Sequence, residues 1–185
     1  MGWLGDFKQD LQRYVEDGST PVKALLTQQG LWALLEYRLA RAGRRLPFTG
    51  PLFVAWQKAV ETVTGISLGH GARIGPGLWI GHFGGVIVLD EASIGRHCHL
   101  CQGVTIGRGV CLEGYGVPVL GDDVYVGPHA VLLGSITIGD GARIGANVVL
   151  NESVEPGVFV RPAEVVVEPS YEAYCERTRG DWPSG

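Results

Sequence analysis

Over residues 68–155 a branched aliphatic residue, usually followed by a small one, returns every six positions with few interruptions. Leu120-Gly121, Val126-Gly127, Leu132-Leu133, Ile138-Gly139, Ile144-Gly145 and Leu150-Asn151 keep this beat without a break. Upstream it runs through Leu68-Gly69, Ile74-Gly75 and Ile80-Gly81. After a two-residue slip at Val86-Ile87 it continues through Val88-Leu89, Ile94-Gly95, Leu100-Cys101 and Ile106-Gly107. A helix repeats its apolar positions every three or four residues and a strand every two, so a period of six marks an internal structural repeat. The pattern predicts a β-solenoid. The aliphatic points inward, the residue after it permits a bend, and the fifth position (Ala72, Cys98, Val104, Val124, Ala130, Ile136, Ala142, Val148) also packs inside. Three hexads complete one turn of a triangular prism whose turns pair as parallel strands, and the tally gives between four and five turns.

Ahead of the repeat, residues 1–65 read as a helical domain. Trp3, Leu4, Phe7, Leu11, Tyr14 and Val15 fall on one helical face over residues 3–17. Thr20-Pro21 supplies an N-cap and a first-turn proline for a short helix to about Gln29. A third helix follows Gly30 and ends at Gly43, Arg44-Arg45-Leu46-Pro47 forms a linker, and a fourth runs from Gly50-Pro51 to Gly65. Such a segment can cover the exposed strand edges of the first solenoid turn. The solenoid occupies residues 66–162, with an excursion at about 107–118 where Arg108 to Pro118 break the beat. Residues 163–185 form a tail outside the repeat.

Composition narrows the function classes. Gly at 29 residues follows the hexads instead of clustering, and 45% hydrophobic residues suffice for a core. A net charge of −4 with scattered Lys and Arg gives no footprint for nucleic acid. No apolar run reaches the roughly 20 residues of a membrane span, and no signal-peptide layout opens the chain, so it is read as cytoplasmic with reduced thiols. His97-Cys98-His99-Leu100-Cys101 has the residue types of a metal site. The register turns Cys98 inward and His97 and His99 outward, so no metal is expected there.

The order Ile66-Ser67, Ala72-Arg73-Ile74-Gly75-Pro76-Gly77, Ile80-Gly81-His82-Phe83-Gly84-Gly85, Gln102-Gly103-Val104-Thr105-Ile106-Gly107 and Ile144-Gly145-Ala146-Asn147, behind a helical segment, resembles the serine O-acetyltransferase family over residues 5–165. The resemblance implies a left-handed parallel β-helix, a homotrimer with sites between subunits, and acetyl-CoA as acyl donor to a hydroxyl. His82 stands at the family's general-base position, and an imidazole is suited to take a hydroxyl proton at neutral pH. His82, Gln102 and Asp122 share the third hexad position and, with both slips counted, are expected along one face. Gln102 matches a family Gln, and Asp90 falls where the family has a Glu. Gly107, Gly127 and Ala146 match coil positions along the CoA groove, with Arg143 close enough to meet a phosphate.

Departures from the family pattern bear on the acceptor. The Asp that the family pairs with its histidine is Ser67 here, and the Asp just before the histidine is Gly81. The Arg-His pair that grips the serine carboxylate falls on Gly116 and Val117. Glu113 and Tyr115 in the excursion, together with Ser67, Gly81 and Gly116, are the candidate acceptor-site positions. The loss of that clamp, while the excursion gains Val110, Leu112 and Tyr115, points to an acceptor that is uncharged or more apolar than serine. The rival expectation is a non-catalytic β-helix acting as a scaffold or binding protein.

Overall fold

The computed structural model describes residues 2–43, 50–111 and 114–162. Four helices precede the repeat: α1 (Trp3–Glu16), α2 (Pro21–Thr27), α3 (Gln29–Gly43) and α4 (Gly50–Thr64). The Thr20 hydroxyl accepts from Lys23 N at 3.2 Å, so the expected cap opens α2 with Pro21 in its first turn. Glu113, the linker at 44–47 and the tail from 163 lie outside the described residues.

Strand pairing wraps the hexads onto three parallel sheets. Face A stacks β1 (Ile66–Leu68), β4 (Val86–Val88), β7 (Thr105–Gly107), β12 (Val131–Leu133) and β15 (Val149–Leu150). Face B stacks β2 (Arg73–Ile74), β5 (Ser93–Ile94), β10 (Val119–Leu120) and β13 (Thr137–Ile138), extended by a parallel bridge from Ile138 to Val154. Face C stacks β3 (Trp79–Ile80), β6 (His99–Leu100), β11 (Tyr125–Val126), β14 (Arg143–Ile144) and β16 (Phe159–Val160). The aliphatics and the fifth-position residues form one continuous buried core. With Val154 in place of a fifth strand on face B, the chain completes five turns. No helix among the described residues is long and apolar enough to cross a membrane.

The helical segment closes the first turn with side chains instead of another strand. Asp10 Oδ1 accepts from Gly77 N at 2.8 Å and Leu78 N at 3.1 Å. Arg38 donates to Ile74 O at 2.6 Å and Gly75 O at 2.7 Å while pairing with Asp10 Oδ2 at 2.9 Å. Tyr14 accepts from Ile80 N and donates to Ile80 O, and Tyr37 does the same for Ile74 N and Ala72 O. Buried backbone groups that lack a neighbouring coil are thereby paired. Desolvation pushes the Asp10 carboxyl up against the opposing pull of Arg38 and the two amides.

The excursion is an antiparallel hairpin, β8 (Gly109–Cys111) with β9 (Gly114–Gly116), leaving the prism between face A and face B. It corrects one expectation. Leu120 pairs with Ile94, and Val126 with Leu100, so the position below Gln102 is Pro128 and not Asp122. His82 and Gln102 do stack at the corner leading from face C back to face A. Asp122 lies at the corner between faces B and C, where Arg96 N donates to its Oδ1 at 2.7 Å. Asp140 accepts from Asp122 N in the next turn, so these carboxylates tie successive coils together.

Candidate functional site

The C–A corner of the first turn is Gly81-His82-Phe83-Gly84-Gly85, two residues longer than the corners below it, which accounts for the slip in the beat. Gly84 N donates to Thr64 O at 2.9 Å, anchoring this longer corner to the end of α4. Gly103 in the corner below has φ +72°, and a Cβ there would fall 2.2 Å from His129 Nδ1. Only glycine satisfies both demands. These constraints present His82 and Phe83 to solvent, Phe83 at 67% exposure. The His82 ring makes no hydrogen bond with any described residue. One coil below, Gln102 Oε1 is shielded from solvent and equally without a partner. An imidazole and a buried acceptor atom, both without a hydrogen-bond partner among the described residues, therefore share one glycine-built corner.

Beside this corner, the outer side of face C carries an aromatic stack that the sequence reading missed. His99 packs edge-on between Trp79, with ring centroids 4.0 Å apart, and Tyr125, at 4.8 Å. Its Nε2 lies 3.6 Å from Cys101 Sγ, which is 3.4 Å from the Tyr125 hydroxyl. Burial, then the positive potential of Arg13, Arg143 and His82, pushes His99 down to about 4, so it is a neutral neighbour of His82 near pH 7. Trp79, His99 and Tyr125 all stand one place before a core aliphatic, a signal legible once the register is right. The stack also accounts for Gly81. A Cβ there would meet the Trp79 ring at 2.9 Å, so the room that the family's Asp would occupy holds an indole.

The other candidates are distributed as follows. Gly127 and Ala146 lie on the C–A corner below Gln102, backbone against backbone, since a Cβ at Gly127 would be 2.8 Å from Ala146 N. Arg143 is exposed on face C with its guanidinium 5.9 Å from the Tyr125 ring centre. Gly107 ends β7 on the opposite edge of face A, at the root of the hairpin that carries Tyr115 and Gly116. Asp90 also lies at the A–B corner, where its Oδ1 accepts from Gly71 N at 3.0 Å. The chain therefore does not bring Asp90 to the corner of His82.

Ser67 is on face A, and its hydroxyl donates to Glu61 Oε1 of α4 at 2.7 Å. Partial burial pushes Glu61 up, but hydrogen bonds from Lys58 and Ser67 outweigh it and leave the carboxyl below its ordinary range. A carboxylate thus stands behind Ser67 that its sequence position did not reveal. At Gly116 any Cβ would be 2.9 Å from that of Ser135, so the backbone there runs too close to the prism for an added side chain without a shift. Val110 and Tyr115 of the hairpin are 75% and 69% exposed. In the His97–Cys101 segment, Cys98 turns inward toward Gly121 O while His99 and Cys101 meet on face C. Among the described residues, no group of three or more His, Cys, Asp or Glu could hold a metal ion.

Comparison with known proteins agrees with this architecture. The bacterial transferase hexapeptide family (six repeats) matches residues 118–152. A curated serine acetyltransferase of Helicobacter pylori is 35% identical over 103 residues, 53% of this chain and 58% of that protein. The chain thus spans little more than half of that relative. Among solved structures, soybean serine acetyltransferase (apoenzyme) is 30% identical, with 89% of this chain and 69% of that one covered at a TM-score of 0.76. Serine acetyltransferase isoform 3 of Entamoeba histolytica, solved with cysteine, is 27% identical over 96% of this chain and 63% of its own, also at 0.76. The hexads, the helical segment that closes their first turn and these likenesses together place the chain in the serine acetyltransferase family.

Proposed function

We propose that the protein is an acetyl-CoA-dependent O-acyltransferase in which His82 is the general base and the acceptor is a hydroxyl compound other than free serine. The observation that carries this reading is the C–A corner, where an exposed, unengaged imidazole stacks over a buried, unengaged Gln102 carbonyl. His82 takes the proton of the acceptor hydroxyl as that oxygen attacks the thioester carbonyl, and returns it to the departing thiolate. Gln102 Oε1 accepts from the acceptor hydroxyl or the imidazole N–H, and the amide N–H donates to the acyl oxygen. Gly127 and Ala146, with little side chain over their backbone, and Arg143 beside them suit the length and the phosphates of a CoA donor.

Candidate groups divide between two edges of face A: His82, Gln102, Gly127 and Ala146 on one, and Asp90, Gly107, Tyr115 and Gly116 on the other. That division supports a homotrimer in which the C–A corner of one subunit meets the hairpin of the next. The acceptor preference rests on Gly116 and Val117, which supply no charge for a carboxylate, and on the exposed Val110 and Tyr115. The test is thiol release from acetyl-CoA with L-serine and with a panel of sugars and hydroxylated metabolites, for wild type and His82→Ala. Release with an uncharged acceptor, faster than with serine and lost in His82→Ala, is expected. Preference for serine would overturn the acceptor assignment, and absence of CoA binding would overturn the enzyme reading.

A further inference from the structure

A cleft lies on the far side of the prism from the C–A corner. Face B is opposite that corner, and where the helical segment meets it the described residues line an open cleft of about 740 Å³ between α1, the end of α3 and strands β2 and β5. Arg38 lines it but is 4% exposed and fully engaged with Asp10, Ile74 O and Gly75 O, so it belongs to the fold. The remaining charges are differently placed. The Arg73 side chain is exposed and makes no hydrogen bond or ion pair with any described residue. Arg41 is exposed and bonds only neutral acceptors, Tyr37 Oη and Ala72 O, through one guanidinium nitrogen. Asp6, in the first turn of α1, faces the same cleft and forms no ion pair with either arginine. Trp3 and Ala42 supply an apolar wall, and Ser93 a hydroxyl.

Opposite charges that line one cavity and do not meet across it leave space for a ligand bearing both. Two guanidinium groups are matched to a carboxylate, the single carboxylate to an ammonium, and the indole of Trp3 to an aliphatic or aromatic body. We propose that this cleft binds a free α-amino acid with an apolar side chain, at a site separate from the acyl-transfer corner. The α-carboxylate lies on Arg41 and Arg73, the α-ammonium on Asp6, and the side chain on Trp3.

The proposal is tested by calorimetric titration of the full chain with L-leucine, with 4-methylpentanoate, which lacks the ammonium, and with 3-methylbutylamine, which lacks the carboxylate. Saturable binding of leucine is expected, with each truncated compound at least about tenfold weaker. Arg73→Gln and Asp6→Asn should each weaken leucine by about tenfold or more, Arg73→Lys less, and His82→Ala not at all. Neither Arg73 nor Asp6 has a structural bond to lose, and equal melting temperatures for the variants confirm that the fold is kept. Failure of leucine to saturate at concentrations on the order of 10 mM would overturn the site. So would equal binding of leucine and 4-methylpentanoate, or binding that is lost in His82→Ala and kept in Arg73→Gln. That last result would put the ligand at the transfer corner and leave the proposed enzymatic function standing.

Discussion

The closed edge of the first turn and the C–A corner are built from the same chemistry used in opposite ways. At the edge, Asp10, Tyr14, Tyr37 and Arg38 are buried, and each bonds backbone that would otherwise face a missing coil. At the corner, His82 is exposed without a partner and Gln102 keeps an unpaired buried oxygen. Polar groups that hold a fold are consumed by it, whereas groups kept for a ligand are left with bonding capacity unspent. The contrast also separates two histidines on the outside of the coil. His99 is flanked by rings and held neutral, and His82 stands free.

If this division is right, substitutions at the two places fail in different assays. His82→Ala should lower acyl-transfer turnover by about 10²- to 10⁴-fold and leave the melting temperature unchanged. A fall in melting temperature that accompanied the loss would mean the imidazole is structural after all. Asp10→Ala should do the reverse. It leaves Arg38 buried without its counter-charge and two amides unpaired, a cost of roughly 3–5 kcal/mol by urea unfolding. Faster hydrogen exchange at Gly77 and Leu78 would locate the damage. Gln102→Ala sharpens the comparison, because it deletes a buried atom that has no partner to lose. Its unfolding free energy should stay within about 0.5 kcal/mol of wild type while turnover falls.

The solenoid was legible because its core depends on one repeated choice, an aliphatic usually followed by a small residue and joined inside by the fifth position, which a linear period exposes directly. The path of the corners was less so. Between Ile106 and Leu120 the hairpin inserts a length that is not a multiple of six, so counting hexads moved Asp122 from the B–C corner to the face of His82. Strand pairing, which the sequence does not carry, settles the matter. The closing of the first turn was half legible. Tyr14 fell on the expected helical face and Arg38 inside the expected third helix, but their bonds to Ile80 and Ile74 join residues far apart in the chain. Glu61 and Trp79 lie only six and two residues from Ser67 and Gly81, but side-chain packing, which spacing does not reveal, is what brings them there.

Gly81 offers a test of smaller size. Gly81→Asp restores the residue that the family pattern has before its histidine, but the Cβ enters the space of the Trp79 ring. A loss of about 1–3 kcal/mol is expected from overpacking. In a Trp79→Ala background the cost of Gly81→Asp should shrink, a coupling that a double-mutant cycle would read. Independent additive losses would show that the ring is not what excludes a side chain there.

The smallest effect is a pH dependence carried by His99. In the folded chain burial and nearby cations hold its titration near 4, whereas the unfolded chain titrates at the ordinary value of about 6.5. Between these values the unfolded state binds the proton and the folded state does not, so the stability associated with the neutral ring is complete above about pH 6.5. It is lost progressively as pH falls toward 4. His99→Phe keeps an aromatic ring between Trp79 and Tyr125 and removes the titration. The variant's melting temperature, compared with that of wild type, should therefore rise as pH is lowered from 7 to about 4.5. Groups common to both proteins and out of electrostatic reach of His99 cancel in that difference. A difference that stayed constant with pH would show that His99 is protonated as easily inside the stack as outside it, and that the stack does not set its charge.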